Sequence, residues 1–200
     1  MIIYGRNPVG EAVKAGKTID KLYILREESD ARMSALVKAA KERGAVVVNA
    51  DRRQLDKLTD GGNHQGIAAQ VTDFEYCSVE DILAEAESRG EKPLIVLADG
   101  ITDPHNLGAI LRSAECLGAH GVIIPQRRSV SVNDTVVKSS SGAAAYVKVA
   151  KVVNLNDAIR QLKSLGVWVY ACDFGGEPPF RADLADSTAL IVGSEGEGVK

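Results

Sequence analysis

The sequence is poor in cysteine, histidine and aromatic residues, and it has no long apolar run. Its three cysteines, Cys77, Cys116 and Cys172, are odd in number, widely spaced and free of any CxxC pair. That spacing argues against a disulfide framework and against a structural zinc site, so no metal is expected. The longest apolar runs, such as the five residues Leu94 to Ala98, fall far short of the roughly 20 needed to span a bilayer. Met1-Ile2-Ile3-Tyr4 is too short to be a signal peptide. Membrane and secreted readings are disfavoured, and a reducing cytoplasm is the expected compartment. What remains, 45% hydrophobic, 26% charged and 4% aromatic over 200 residues, is the composition of one or two globular domains whose cores need no covalent staples.

The formal net charge is −3, which looks wrong for a nucleic-acid binder, but phosphate contacts are local and charge is best counted by segment. Residues 1–72 carry 12 basic against 9 acidic side chains, residues 73–92 carry 2 against 7, and residues 93–200 carry 10 against 11. The acidity is therefore concentrated in one short stretch. Within it Val79, Ile82, Leu83 and Ala86 recur at helical spacing before Gly90 and Pro93 stop the pattern, which predicts a linker over 73–92 holding one short helix.

Before that stretch, Pro8 to Ala15, Asp30 to Arg43 and Asp51 to Leu58 read as helices. They alternate with strand-like Ile19 to Leu25, Ala45 to Val48 and Ile67 to Val71. After it come strand Leu94 to Ala98, a helix from about Leu107 to Leu117, strand Gly121 to Ile124, helix Leu155 to Leu165, and strands Val167 to Ala171 and Ala189 to Val192. The predicted class is α/β: a small N-terminal α/β domain over 1–72, an acidic linker over 73–92, and a mostly parallel α/β domain over 93–200. Ligands of such sheets sit beyond the carboxyl ends of the strands. The segments of interest are therefore Asp99 to Asn106, Pro125 to Asn133, Cys172 to Arg181 and Gly193 to Lys200.

The last of these, Gly193-Ser194-Glu195-Gly196-Glu197-Gly198-Val199-Lys200, fits neither common nucleotide loop. Its glycines are spaced GxxGxG rather than GxGxxG, and Val199 separates Lys200 from the glycine a phosphate loop would place beside it. Glu195 and Glu197 would also repel an anion, by roughly 1 to 4 kcal/mol per pair of unit charges at about 4 Å. A cationic or neutral ligand that wants close backbone approach is compatible; so is a plain glycine-rich turn with solvated glutamates.

Asp103-Pro104 is a helix start, a capping side chain before a proline that needs no N–H. Leu107, Ile110, Leu111, Ala114 and Leu117 share one face of the following helix, and Arg112 points about 160° from the centre of that stripe. On helix geometry alone an ordinary solvated arginine is favoured over a functional one. His105 lies in the first turn with no second His or Cys nearby. Arg127-Arg128 suits phosphate contact or simple solvation. In Gly5-Arg6-Asn7-Pro8, Asn7 is the expected cap and Pro8 the first helical residue, which leaves Arg6 near a helix N-terminus where phosphates bind well. Gly61-Gly62-Asn63-His64-Gln65-Gly66 is most simply a turn, with His64 and Gln65 able to meet RNA bases or sugars. The small-residue run Ser139-Ser140-Ser141-Gly142-Ala143-Ala144-Ala145 reads as a tightly packed helix or turn.

Taken together, Asp103-Pro104-His105-Asn106-Leu107-Gly108-Ala109-Ile110-Leu111-Arg112 and Ile191-Val192-Gly193-Ser194-Glu195-Gly196-Glu197-Gly198 resemble the first two signature motifs of the SpoU (TrmH-like) RNA 2′-O-ribose methyltransferases of the SPOUT superfamily. Ser139 to Ala143 resembles the small-residue segment between those motifs. Tyr4 to Val9 with His64 to Ile67 resembles the family's substrate-binding domain. The resemblance implies a small RNA-binding domain similar to certain ribosomal proteins, joined to a catalytic domain with a C-terminal trefoil knot. It also implies S-adenosylmethionine bound bent beside the knot, and a homodimer whose active site lies near the subunit interface.

By motif, Asn106, Arg112 and Glu195 are the implied catalytic residues. Gly193, with Ala171 and Cys172, is implied to approach the cofactor; Arg6, His64, Gln65, Arg127 and Arg128 are the RNA-contact candidates. A guanidinium rarely gives up its proton, so Arg112 is expected to anchor an RNA phosphate and stabilise the developing alkoxide rather than act as base. The branch most resembled is the RlmB-like one, which methylates guanosine in 23S rRNA. The family's third motif, a Pro-Met segment followed by Ser-Leu-Asn and a final helix, is not among the 200 residues, and residues 1–200 alone are expected to bind the cofactor weakly or not at all. A non-catalytic RNA-binding or ribosome-assembly protein and a tRNA 2′-O-methyltransferase are the competing readings. A nucleotide-binding α/β enzyme is disfavoured by the acidic loop and the misplaced Lys200.

Overall fold

The computed structural model describes residues 1–25 and 30–199; Lys200, whose position counted against a phosphate loop, lies outside the described residues. The chain forms two compact units, Met1–Glu75 and Tyr76–Lys200.

In the first unit, β1 (Ile2–Tyr4), β2 (Thr18–Leu25), β3 (Val46–Ala50) and β4 (Ile67–Thr72) form a mixed sheet in the order β1-β4-β2-β3. β4 runs antiparallel to β1 and β2, and β2 runs parallel to β3. Because successive strand residues face opposite ways, Ile67, Ala69 and Val71 of β4 join a core with Val9 and Val13 of α1 (Arg6–Lys14) and Met33 and Ala40 of α2 (Ala31–Glu42). Ala68 belongs to a second core with Leu55 of α3 (Arg52–Leu58). Helices on both faces explain why the strand is apolar at nearly every position.

β1, which was not among the strands read from the sequence, pairs along its whole length with β4. One expectation is corrected here. Asn7 is not the cap of α1: the helix starts at Arg6, its N-cap is Gly5 at φ 91, and no side chain of the N-cap bonds to it. Asn7 Oδ1 instead accepts from an Arg32 N–H at 2.8 Å, and Pro8 falls in the first turn, where its missing N–H has no helical partner to lose. The cap comes from elsewhere in the unit: Gln65 Oε1 accepts the backbone N–H of Arg6 at 3.1 Å.

The second unit is built on an all-parallel sheet in the order β7-β6-β5-β9-β8, comprising β5 (Leu94–Ala98), β6 (Gly121–Pro125), β7 (Lys148–Val152), β8 (Trp168–Cys172) and β9 (Thr188–Val192). α4 (Val79–Arg89) and α7 (Leu155–Ser164) share one core with Ile95, Leu97, Ile123 and Ile191 of the sheet. α5 (Pro104–Cys116) and α6 (Asp134–Ser139) pack together and bury Leu107, Leu111, Ala114 and Val136.

The stretch read as a linker is thus divided. Residues 73–75 fall in the first unit, while α4 buries Val79, Ile82 and Ala86, the first two in the core of the second. A Cβ on Gly121 would lie 2.6 Å from the Ile82 side chain, so α4 sits directly on β6; its acidic residues are the outer face of an amphipathic helix. β7 and α6 were not predicted: the two lysines of Lys148–Val152 break the apolar pattern, and α6 has only six residues. Leu117, placed on the buried stripe of α5, is 75% exposed because the helix ends at Cys116 and Leu117 is its C-cap. No helix among the described residues is long and apolar enough to cross a membrane.

Candidate active site at the carboxyl edge of the parallel sheet

β5 is the first strand of its sheet in chain order, with β6 on one side and β9 on the other, so the winding reverses between β5 and β9. That switch point leaves a crevice at the carboxyl ends of the two strands. Two loops meet there. The Asp99 N–H donates to the Val192 carbonyl at 2.9 Å, extending the β5–β9 ladder by one bond. A Cβ on Gly100 would stand 3.8 Å from Ser194 Cβ, ordinary contact.

The loop after β9 folds back on itself. The Ser194 N–H donates to the Gly198 carbonyl at 3.1 Å, and the Gly198 N–H donates to the Ser194 carbonyl at 2.9 Å. This closure brings the backbone of Gly198 and Val199 across Gly193, where a Cβ would lie 2.1 Å from Gly198 C, 2.2 Å from its O and 2.3 Å from Val199 N. Only glycine fits at 193. Glu195, Gly196 and Glu197 form the exposed tip.

The loop after β5 leads into α5, whose N-cap Asp103 accepts from the His105 and Asn106 N–H groups at 2.7 and 3.0 Å. The run of small residues fixes where this helix starts. A Cβ on Gly108 would fall 2.0 Å from Ser139 Oγ and 2.9 Å from the Ser139 carbonyl carbon, and Ser139 Oγ donates within reach of the Pro104 and Thr135 carbonyls at 3.2 and 2.8 Å. Ser140, fully buried, takes the Ala144 N–H on its hydroxyl. Packing was the bland reading of this segment; what it packs is the turn that carries Asn106.

Asn106 and Arg112 are both exposed. Six residues apart, they stand about 120° round the helix and about 9 Å along it, so they do not share a face. Glu195 is on the β9 loop, and among the described residues no hydrogen bond or ion pair joins the three. The loops after β5 and β9 meet at the crevice, but of the three side chains only Glu195 lines a cleft beside it; Asn106 and Arg112 line neither of the two described next.

Two clefts flank the β9 loop. One, of about 380 Å³, is lined by Cys172, Asp173, Phe174, Val192, Gly193, Ser194, Glu195 and Gly198. Cys172 and Gly193 thus face one cavity, since β8 and β9 pair Ala171 with Ile191 and Cys172 with Val192; Ala171 does not line it. The other, of about 710 Å³, includes Asp99, Thr102, Arg127, Arg128, Asn154 and Glu197. Its arginine loop is held in place: Val130 N–H and Ser129 Oγ both donate to the Ile101 carbonyl, at 2.8 and 3.1 Å. Val132 N–H donates to Tyr76 Oη at 2.9 Å, and Lys151 Nζ lies 5.0 Å from the Tyr76 ring centre. Thr102 and Asp173 lie in the segments of interest but were not named individually, and Ser139 entered only as part of its small-residue motif.

In the first unit, His64 is corrected as an RNA contact. Its side chain is 8% exposed, Nδ1 accepts the Gly66 N–H at 3.0 Å and Nε2 lies 3.1 Å from Asp56 Oδ1. Both ring nitrogens are spent on holding the loop. Gln65 is exposed, at φ 51. The Arg6 guanidinium donates to the Gln65 carbonyl at 3.4 Å and to Asp30 Oδ2, so the free helix N-terminus expected beside it is already occupied. Among the described residues no group of three metal-ligating side chains occurs.

Two family models match the chain, the SpoU rRNA Methylase family over residues 93–200 and the RNA 2′-O ribose methyltransferase substrate-binding domain over residues 2–77. The chain belongs to the SpoU methylase family. It is 39% identical over 200 residues to an uncharacterized tRNA/rRNA methyltransferase of Synechocystis sp., covering 99% of this chain and 52% of the relative. A protein of Bacillus subtilis named for the TrmH family of tRNA/rRNA methyltransferases, YacO, is 36% identical over 98% of this chain and 79% of its own length. The chain thus spans about half of the first relative and most of the second. The fold is that of the SpoU methyltransferase AviRb from Streptomyces viridochromogenes, solved with AdoMet, at a TM-score of 0.57 and 23% identity over 100% of this chain and 75% of that one.

Proposed function

We propose that the protein is an RNA 2′-O-ribose methyltransferase that takes its methyl group from S-adenosylmethionine, acts on a guanosine of large-subunit ribosomal RNA and works as a homodimer. The observation that carries this reading is the pairing, in one chain, of a SpoU catalytic family match with an RNA-substrate-binding match. The Gly193 crossing shapes the loop that borders the proposed cofactor cleft, because only glycine lets the Gly198–Val199 backbone close over this position. The adjoining cleft of about 380 Å³ is within the range of small-molecule sites. Glu195 at its rim complements a sulfonium and would repel a triphosphate.

Bound there, S-adenosylmethionine would supply an electrophilic methyl group: the ribose oxygen–carbon bond would form as the sulfur–carbon bond breaks, the neutral thioether would leave, and the hydroxyl proton would pass to solvent. Displacement at that carbon needs the ribose hydroxyl held in line, so positioning provides much of the acceleration. In this reading Asn106 and Glu195 orient the hydroxyl from the two sides of the β5–β9 crevice. Arg112, further along α5, grips an RNA phosphate and offsets negative charge developing on the oxygen. Arg127 and Arg128 extend the phosphate contacts along the larger cleft.

Transfer of a labelled methyl group to total cellular RNA and to ribosomal particles tests the reading, with labelled nucleotides mapped by mass spectrometry. A single 2′-O-methylguanosine in large-subunit rRNA is expected. Label in tRNA would change the substrate, and RNA binding without any transfer would replace the enzyme with a non-catalytic RNA-binding protein.

A further inference from the structure

The loop 59–66 of the first unit is built like a fixture. Eight residues without regular structure are held by Gly61 N–H on the Asp56 carbonyl, Gly62 N–H on the Thr59 carbonyl, Thr59 Oγ1 on the Leu55 carbonyl and both nitrogens of His64. Two non-glycine residues in it, Asp60 at φ 49 and Gln65 at φ 51, adopt the left-handed conformation. Such strain persists only where surrounding structure imposes it, and it gathers at functional sites.

What the fixture presents is an aromatic ring with amides beside it. The phenol end of Tyr4 packs on the backbone of Gly62, where a Cβ would lie 2.5 Å from Oη and 2.6 Å from Cε2 and Cζ. Tyr4, taken as a whole residue, is nonetheless 38% exposed. Gly5, at φ 91, carries the chain from Tyr4 into α1, and a Cβ there would stand 3.7 Å from Gln65 Oε1 and 3.8 Å from the Asn63 carbonyl. Gln65 Oε1 is committed to the Arg6 N–H, which turns its amide NH2 away from the helix. Asn63 is exposed beside it. An aromatic face flanked by amide donors and acceptors is the chemistry that recognises an unstacked base, whereas duplex RNA is met through phosphates and 2′-hydroxyls.

We propose that Tyr4, backed by Gly62 and flanked by Asn63 and Gln65, is a stacking platform for one unpaired base of the RNA substrate. This rests on the RNA-substrate reading above and adds to it a preference for single-stranded or looped RNA. None of these residues is placed in the methyl-transfer machinery.

Binding is measured by fluorescence anisotropy with a short labelled single-stranded oligoribonucleotide and with a blunt duplex of the same length. Tyr4→Leu keeps apolar cover over Gly62 but removes the π-face, and it is expected to weaken the single strand roughly 5- to 150-fold, the range for losing one stacked base, while the duplex changes little. Tyr4→Phe should bind as the wild type does. Gly62→Ala, which drives a methyl group into the ring, should reproduce the Tyr4→Leu loss. Unchanged melting curves for Tyr4→Leu and Tyr4→Phe separate this from misfolding. Wild-type binding of the single strand with Tyr4→Leu equal to it, or an equal loss on both probes, overturns the platform and leaves the RNA reading standing. Failure of the wild type to bind either probe overturns both.

Discussion

Gly193→Ala is the most informative single change in the second unit. The new methyl group would sit 2.1 to 2.3 Å from backbone atoms of Gly198 and Val199, more than an ångström inside normal contact, and no rotamer relieves a clash with main chain. The loop must open, and opening breaks the two Ser194–Gly198 backbone hydrogen bonds. At about 0.5 to 1.5 kcal/mol net for each bond the cost is about 1 to 3 kcal/mol. For a chain of this size that is a fall in melting temperature of roughly 2 to 4 °C per kcal/mol. Gly196→Ala is the control, since a Cβ there meets nothing within 4 Å. Thermal melts by circular dichroism should show Gly193→Ala less stable than the wild type by about 1 to 3 kcal/mol. Gly196→Ala should melt with the wild type. Equal melting for Gly193→Ala and the wild type would refute the reasoning, and so would equal destabilisation by the two alanines.

Three further outcomes are expected. Gly108→Ala should lower methyl transfer while leaving the far-ultraviolet spectrum in place, because its methyl group collides with Ser139 and must shift the turn that carries Asn106; overpacking of this kind costs about 1 to 3 kcal/mol, partly offset by alanine's helix preference. His64→Phe should destabilise the first unit in urea by about 1 to 3 kcal/mol, since it leaves the buried Gly66 N–H without its acceptor; an unchanged midpoint would show that the histidine does not hold the loop. At the start of α4, the Ser78 N–H and hydroxyl hold the Asp81 carboxyl below its usual range, and Arg89 does the same for Glu85. A carboxylate whose pKa falls on folding stabilises above its unfolded pKa, and that contribution is lost as pH drops through the folded value. Asp81→Asn with Glu85→Gln should therefore flatten the acid limb of the stability profile below about pH 5 and lower the neutral plateau.

Changes at Arg112 separate its two possible roles. If it grips a phosphate, Arg112→Lys should keep part of the RNA affinity and turnover that Arg112→Ala loses. Equal and total loss of turnover in both, with RNA affinity unchanged, would count against the grip.

Local patterns in the sequence carried much of the fold. The alternation of β-branched runs with helical stripes gave the order of nearly every element, because those periods are set by the geometry of one strand or one helix. Asp103-Pro104 announced the start of α5 for the same reason: the cap and the bonds it satisfies lie within three residues. The two signature motifs likewise pointed to the crevice, since in a parallel sheet the loops at the carboxyl ends must be neighbours if their strands are.

Only tertiary structure decided the rest. Nothing within Gly5-Arg6-Asn7-Pro8 shows that the cap of α1 arrives from Gln65, or that His64 faces inward, because both depend on a partner far away in the chain or on the fold of a loop. The stretch 73–92 looked like a linker because its charge is conspicuous, whereas its helix joins the second unit through Val79 and Ile82, apolar side chains that find a sheet to cover. The need for glycine at 193 arises where the chain crosses itself five residues later, and at 108 where another helix passes. Sequence periodicity records which face of an element is apolar; which surface it meets, and how closely two backbones approach there, is settled by packing in three dimensions.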